Sequence, residues 1–371
     1  MTWIRSPAEL EKLVQALESC RAIGLDTESD SLYHHRDKVC LVQIATDRGE
    51  AFLVDSLAVD LRPLGPAMAD PRLVKVLHGA DYDVTTLKRD FGFGFAALFD
   101  TMIAARLLGR SELGLVAVAR DELGVTLTKT NQKDDWSRRP LTPQQEAYAL
   151  ADVVHLVELR ERLAARLQAA GRLDWLREES DAVAQLEPLV RRRDPDAYLA
   201  VKGARRLPPR ALAALRELYA WRERRAEETD TPAFKILGNE SLLKLAELLP
   251  ASEGALRAVP GVLPRLSRQA ADILAGVKRA LALAEQELPV VPRAVRPVVP
   301  DVQLRRVERL KAWRTLKGAE LGLDAAVVLP QRLIDRLAEA APGDVSALGR
   351  VEGLRAWRAS AFGAELLAAV S

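Results

Sequence analysis

Ile23-Gly24-Leu25-Asp26-Thr27-Glu28 decides the fold. Apolar residues that turn acidic read as a buried strand whose tip leaves the core. Side chains at i and i+2 of a strand share a face, so Asp26 and Glu28 project two carboxylates together while Thr27 points the other way. Two adjacent carboxylates repel unless a cation compensates them. Hard divalent cations such as Mg²⁺ take oxygen ligands of this kind.

Around this stretch the chain alternates strand and helix signals. Upstream, Ser6-Pro7-Ala8-Glu9 is a capping box with proline at the first helical position, opening a helix to about Glu18. Downstream, 39–45 and 51–54 read as strands joined by a polar turn at Asp47-Arg48-Gly49, so the sheet begins antiparallel. A further strand over 73–77 ends in His78-Gly79-Ala80. Asp81 is then placed as the N-cap of a helix to about Asp90, closed by Gly92. The polar stretch 129–140 contains Trp136-Ser137-Arg138-Arg139-Pro140. Thr142-Pro143-Gln144-Gln145 is a second capping box, expected to open one long helix running toward Gly171. Gly92-Phe93-Gly94-Phe95 resembles a dinucleotide fingerprint superficially, but it precedes a strand where that motif must follow one.

The 371 residues leave room for two or three domains. No apolar run approaches the ~20 residues that span a bilayer, and the N-terminus shows no basic and apolar leader, so a cytoplasmic protein with no membrane contact is expected. Cys20 and Cys40 are the only cysteines and lack metal-site spacing, which fits a reducing compartment. Net charge is +2, yet residues 1–170 hold 21 Lys+Arg against 25 Asp+Glu, and residues 171–371 hold 33 against 27. An acidic front suits a metal site and a basic rear suits phosphate contacts.

Beyond residue 171 strand signals vanish, and Leu and Ala recur at helical spacing. Pro289, Pro292, Pro297 and Pro300 mark a semi-rigid linker. The segments on either side of it repeat: Trp221 pairs with Trp313, Leu237 with Leu329, Ala246 with Ala338, Pro250 with Pro342 and Gly261 with Gly353, always 92 apart. A constant, gapless offset means duplicated helical modules.

Three clusters carry the chemistry: Asp26 with Glu28, Asp81 or Asp83 in the first turn after His78-Gly79-Ala80, and Tyr148 with Asp152, four apart and so on one helical face. Four converging carboxylates suit two divalent ions about 4 Å apart, an arrangement that activates water and stabilises a leaving oxygen in phosphodiester hydrolysis. Tyr148, with an ordinary pKa near 10, is better suited to orienting that water than to taking its proton.

The stretches Leu25-Asp26-Thr27-Glu28, His78 to Asp83 and Tyr148-Ala149-Leu150-Ala151-Asp152 resemble the three exonuclease motifs of the ribonuclease D family, within the tyrosine-containing branch of the DEDD 3′→5′ exonucleases. Leu98-Phe99-Asp100-Thr101 and 135–141 resemble its intermotif segments, and the repeated modules resemble HRDC domains. His155 follows Asp152, so the histidine-containing branch fits poorly. The resemblance implies an α/β ribonuclease H-like exonuclease domain, a mixed sheet flanked by helices, followed by two all-α HRDC domains. It implies two Mg²⁺ or Mn²⁺ ions held by Asp26, Glu28, Asp83 and Asp152, and it selects Asp83 over Asp81. It also implies trimming of RNA with a free 3′ end, typically tRNA precursors.

The expected layout is a catalytic domain over 1–170, a helical linker over 171–205, HRDC modules over 206–284 and 302–371, and a proline-rich linker over 285–301. A monomer is expected. His78, Arg138 and Arg139 are candidate substrate contacts; the arginines serve either to grip the RNA backbone or as a solvated loop. Trp136 serves either to stack on a base or to anchor its loop in the core. Arg191-Arg192-Arg193 reads as a linker charge run. A DNA exonuclease is the alternative substrate class, because HRDC modules also occur in DNA helicases. A non-catalytic RNA-binding protein would require a lost metal ligand, and none is missing.

Overall fold

The computed structural model describes residues 1–128, 130–188, 190, 194–259, 269–291 and 299–371. Lys129, the arginine run 191–193, Gly261, Pro292 and Pro297 lie outside them.

The first elements are β1 (Thr2–Ile4), α1 (Pro7–Leu17), β2 (Ala22–Ser29), β3 (Val39–Thr46), β4 (Ala51–Val54), α2 (Gly65–Ala69), β5 (Val74–Leu77), α3 (Asp81–Phe91) and β6 (Leu98–Asp100). The strands form one mixed sheet in the order β1-β4-β3-β2-β5-β6. β2 pairs antiparallel with β3 and β3 with β4, whereas β1–β4, β2–β5 and β5–β6 are parallel. The antiparallel start follows the sequence reading. β1 does not: a three-residue edge strand has no room for alternation. The first capping box forms as its residues require: the Ser6 hydroxyl accepts from the Glu9 N–H, and the Glu9 carboxylate accepts from the Ser6 N–H. That fixes α1, which lays Leu10, Leu13 and Leu17 on the sheet core.

Two local expectations are corrected. Ala80, not Asp81, precedes the first helical residue of α3, and no side chain caps that end. The Asp100 carboxylate instead accepts from the Gly79 and Ala80 N–H groups, and also from those of Met102 and Ile103 at the start of α4 (Thr101–Leu107). Past α5 (Leu115–Leu123), the long helix expected to reach Gly171 is two helices, α6 (Pro143–Ala151) and α7 (Leu156–Ala169). They break at 152–155, where the chain presses onto β2: a Cβ placed on Gly24 would lie 2.6 Å from the Val153 carbonyl oxygen. α8 (Leu173–Ala184), read from sequence as linker, is part of this unit. It packs against β6 and contributes Val183 and Ala184 to the core.

Two helical modules follow in the chain. The first has α9 (Pro209–Glu228), α10 (Ala233–Ile236), α11 (Asn239–Leu248), α12 (Glu253–Arg257) and α13 (Ala270–Ala282). The second has α14 (Asp301–Leu321), α15 (Ala325–Val328), α16 (Gln331–Ala340), α17 (Val345–Gly349) and α18 (Ala356–Val370). Pro209 and Asp301, Ala233 and Ala325, Asn239 and Gln331, and Glu253 and Val345 start corresponding helices, each pair 92 apart. Even the left-handed residues Leu249 and Ala341 that close α11 and α16 correspond. Trp221 is buried in the first module. In the second, half-buried Trp313 donates its indole N–H to Glu365 at 2.6 Å.

The chain divides into two compact units. One comprises residues 30–38 with 190–296. The other comprises the exonuclease sheet together with residues 297–371. Within this second unit, α8 holds the second helical module. Trp175 stacks on Trp357 with ring centroids 4.3 Å apart. Glu178 accepts from the Trp357 backbone N–H at 2.7 Å and from that of Ala356, filling the N-terminus of α18. Glu179 pairs with Arg358 at 2.6 Å, and that guanidinium also donates to the Val327 and Val328 carbonyls. Removing one partner of such a pair leaves a buried charge uncompensated. Glu179→Ala in the whole protein is expected to lower the unfolding free energy by about 3 kcal/mol, read from urea denaturation; a change within experimental error would mean that this contact holds nothing.

Candidate active site

β2 lies inside the sheet but is only half paired on one side. β5 hydrogen-bonds with Ala22, Ile23 and Gly24 and stops there. The edge of β2 beyond Gly24 is therefore open to α3, and this is where the acids gather. Asp26 and Glu28 point to one face, as alternation requires. On that face the turn after α6 delivers Asp152, whose N–H closes α6 on the Tyr148 carbonyl. One carboxylate oxygen from each of Asp26, Glu28 and Asp152 lies within 4.8 Å of the others.

Asp83 approaches from the other side, where Thr27 points. Both are buried, and the Thr27 hydroxyl donates to an Asp83 carboxylate oxygen at 2.5 Å. Asp83 stands outside the 4.8 Å group but raises the proton affinity of both Asp26 and Glu28. Asp81 is exposed, so the structure puts Asp83 rather than Asp81 beside the cluster.

Asp26, Glu28 and Asp83 resist ionisation. Burial pushes the Asp26 carboxyl well above its usual range, and Asp83, Glu28 and Asp152 add to the effect. Burial, then Asp152 and Asp83, raises Glu28 to about 9. Asp83 is raised by burial to about 6, against the opposing pull of the Thr27 hydroxyl. Tyr148 is raised strongly, by burial first and then by Asp152 and Glu28, and its hydroxyl bonds to Asp152. Clustered oxygen donors whose ionisation is resisted by their own neighbours fit a hard divalent cation, whose charge would reverse each shift.

The remaining sequence candidates divide. Trp136 is 1% exposed, with its ring 6.0 Å from that of Tyr148, so it anchors the loop behind the site and cannot stack on a base. Arg139 is likewise withdrawn from substrate: it binds both oxygens of Asp55 at 2.7 Å and donates to the carbonyls of Cys40, Trp136 and Arg138. Arg138 is 80% exposed and pairs with Asp135 at 3.0 Å. The Thr101 hydroxyl spends its proton on the Leu77 carbonyl, so His78 Nδ1, 2.9 Å away, is the donor of their bond. His78 thereby ties the end of β5 to α4.

Sequence reasoning missed Gly24, Thr27 and Gln43. Gln43 stands opposite Asp26 in the β2–β3 register, fully buried, with no partner for its amide among the described residues. Nothing local announces it, because the register of β2 on β3 is set by tertiary pairing.

Residues 1–168 match the family model of a 3′-5′ exonuclease, and residues 211–277 and 303–370 each match an HRDC domain. Ribonuclease D of Gluconacetobacter diazotrophicus is 34% identical over 370 residues, covering 98% of this chain and 91% of the relative. The crystal structure of Escherichia coli RNase D, described as an exoribonuclease involved in structured RNA processing, superposes with a TM-score of 0.70 at 26% identity, over 99% of this chain and 98% of that one. A protein from Bifidobacterium adolescentis superposes at 0.83 with 25% identity, over 100% and 97%. Fold and acidic centre together define a 3′→5′ exonuclease carrying HRDC modules. The chain belongs to the ribonuclease D family and is an exoribonuclease by class. Enzymes of this kind use divalent metal. Among the described residues, no helix is long and apolar enough to cross a membrane.

The Glu28 shift gives a test by pH. Its folded pKa of about 9 lies above the ordinary 4.5, so the folded protein keeps a proton that the unfolded chain has released. That stabilisation is complete below pH 4.5 and is lost as pH climbs toward 9. Cation binding must expel the proton and so strengthens with pH. Between about pH 6 and pH 8.5, the melting temperature of the metal-free protein should fall and the increment from added Mg²⁺ or Mn²⁺ should grow. Equal increments at both ends, by scanning calorimetry, would contradict this electrostatic picture.

Proposed function

We propose that Asp26, Glu28, Asp83 and Asp152 hold two divalent ions, Mg²⁺ or Mn²⁺, and that the enzyme there releases nucleotides singly from structured RNA with a free 3′ end, tRNA precursors among them. The observation that carries this reading is the meeting of Asp26, Glu28 and Asp152 oxygens, from opposite ends of the catalytic domain, within 4.8 Å. When bound, the ions supply an ionised water for attack at phosphorus and neutralise charge on the departing oxygen.

The protein's own groups do the rest. Thr27 fixes the rotamer of Asp83 through its hydroxyl. Tyr148 keeps its proton far above neutral pH with its hydroxyl bonded to Asp152, so it helps to orient the attacking water and takes no proton from it. Trp136 holds Tyr148 in place from behind. Arg138, exposed and lightly paired, is available to a backbone phosphate. The HRDC modules, proposed as 206–284 and 302–371, add contacts that raise the effective concentration of a bound RNA. We assign the enzyme to the cytoplasm, as a monomer.

End-labelled RNA tests the assignment. Wild-type enzyme should release mononucleotides with Mg²⁺ or Mn²⁺ and stop at a 3′-phosphate. Asp26→Asn should lower the rate on the order of 10³-fold. Tyr148→Phe should lower it about 10–100-fold, because it removes a hydrogen bond to Asp152 but no ligand. Full activity in Asp26→Asn would refute the site, and faster trimming of matching DNA would refute the substrate.

A further inference from the structure

We propose that Gln43 is a positioning residue for the metal centre: when a divalent ion binds, its side-chain amide donates to the Asp26 carboxylate and fixes the orientation of that ligand. The proposal rests on the reading of Asp26 as a metal ligand given above and adds the group that holds it.

Strand register places the two side chains. In the β2–β3 ladder Gln43 pairs directly with Asp26, Leu41 with Glu28 and Ala45 with Gly24. Residues directly opposite in an antiparallel pair share a face, with Cβ atoms about 4.5–5.5 Å apart. Gln43 therefore stands on the face that carries Asp26 and Glu28. Leu53 of β4 lies opposite Gln43 in the next ladder. Leu41 and Leu53 are buried together with Trp136, Tyr148 and Ala149, so this face is the one that α6 and the 130–140 loop cover. A glutamine nitrogen lies three bonds from its Cβ and an aspartate oxygen two bonds from its own. Rotation about those bonds brings the two to hydrogen-bond distance across such a gap.

Burial shows that the fold does not call for a glutamine here. β3 is buried along its whole length, and the residues on either side of Gln43 on this face, Leu41 and Ala45, are apolar. Gln43 itself is 0% exposed, and neither its amide nitrogen nor its amide oxygen has a partner among the described residues. An unpaired amide in a core destabilises, and an apolar side chain of the same length avoids the penalty. The neighbouring acids supply the reason instead. Thr27 supports Asp83 through its hydroxyl, and the Tyr148 hydroxyl bonds to Asp152. Asp26 takes a bond from the Thr27 backbone N–H, and Gln43 is the polar side chain that the sheet sets against it. Carboxylates that ligate a metal are themselves hydrogen-bonded, which fixes how their oxygens face the ion. An amide N–H donates without bringing a charge that would compete with the cation. Hydrogen bonds of this kind are often open in the free protein and close when the site fills.

The test uses the full chain with Mn²⁺ as the probe, titrated by calorimetry into metal-free protein, beside urea denaturation of the same metal-free samples. Gln43→Met keeps the length of the side chain and removes the amide; Gln43→Leu decides if the first variant fails to fold. The Mn²⁺ dissociation constant should rise about 10–100-fold. The unfolding free energy without metal should stay the same or increase, because an unpaired amide has left the core. Unchanged affinity in a folded variant, a weakening matched by lower metal-free stability, or failure of both variants to fold would each show an amide that serves the fold. Any of these overturns the positioning role and leaves the exoribonuclease and its acidic centre standing. Wild-type protein that binds no Mn²⁺ overturns both.

Discussion

Mutual repulsion among buried carboxylates is the constraint on which this structure turns. Asp26, Glu28 and Asp83 are held where burial and neighbouring acids oppose their charge, and Asp152 adds to that effect on Asp26 and Glu28. A fold that had only to be stable would not assemble such a group, because each ionisation at neutral pH works against the folded state. The arrangement makes sense as a receptor whose strain a cation relieves. Here electrostatics set aside stability for function, as active sites commonly do.

The rest of the catalytic domain serves that group. Ending β5 at the level of Gly24 exposes the edge of β2 to α3. The bare Cα of Gly24 lets the turn at 152–155 settle against the strand, which brings Asp152 to Asp26. Asp100 satisfies four backbone N–H groups at once and so locks the turn before α3 to the start of α4. Arg139 and Trp136 hold the 130–140 loop behind Tyr148. These contacts carry no chemistry, yet each sets where a reacting group stands.

What could be read from sequence was local or periodic. Both capping boxes form because Ser6–Glu9 and Thr142–Gln145 complete themselves within four residues. The pairing of Asp26 with Glu28 follows from strand alternation, and the duplicated modules follow from an offset that needs no folding to detect. What stayed hidden was tertiary. The break after α6 is imposed by Gly24, over a hundred residues earlier in the chain. Whether Trp136 and Arg139 met solvent or core depended on Tyr148 and Asp55 reaching them. The choice of Asp83 over Asp81 came from family resemblance, and its physical reasons, the contact with Thr27 and the charge it exerts on Asp26 and Glu28, appear only in the folded chain.

If clustered acids wait protonated for a cation, that cation must drive protons out as it binds. Proton release on titrating Mn²⁺ into the metal-free protein at neutral pH, measured by calorimetry in buffers of different ionisation enthalpy, tests this directly. Release of one or more protons per chain, much reduced when Glu28 is replaced by Gln, is the result this account requires. Tight binding without proton release would show that the carboxylates were already ionised, and the central claim would fail.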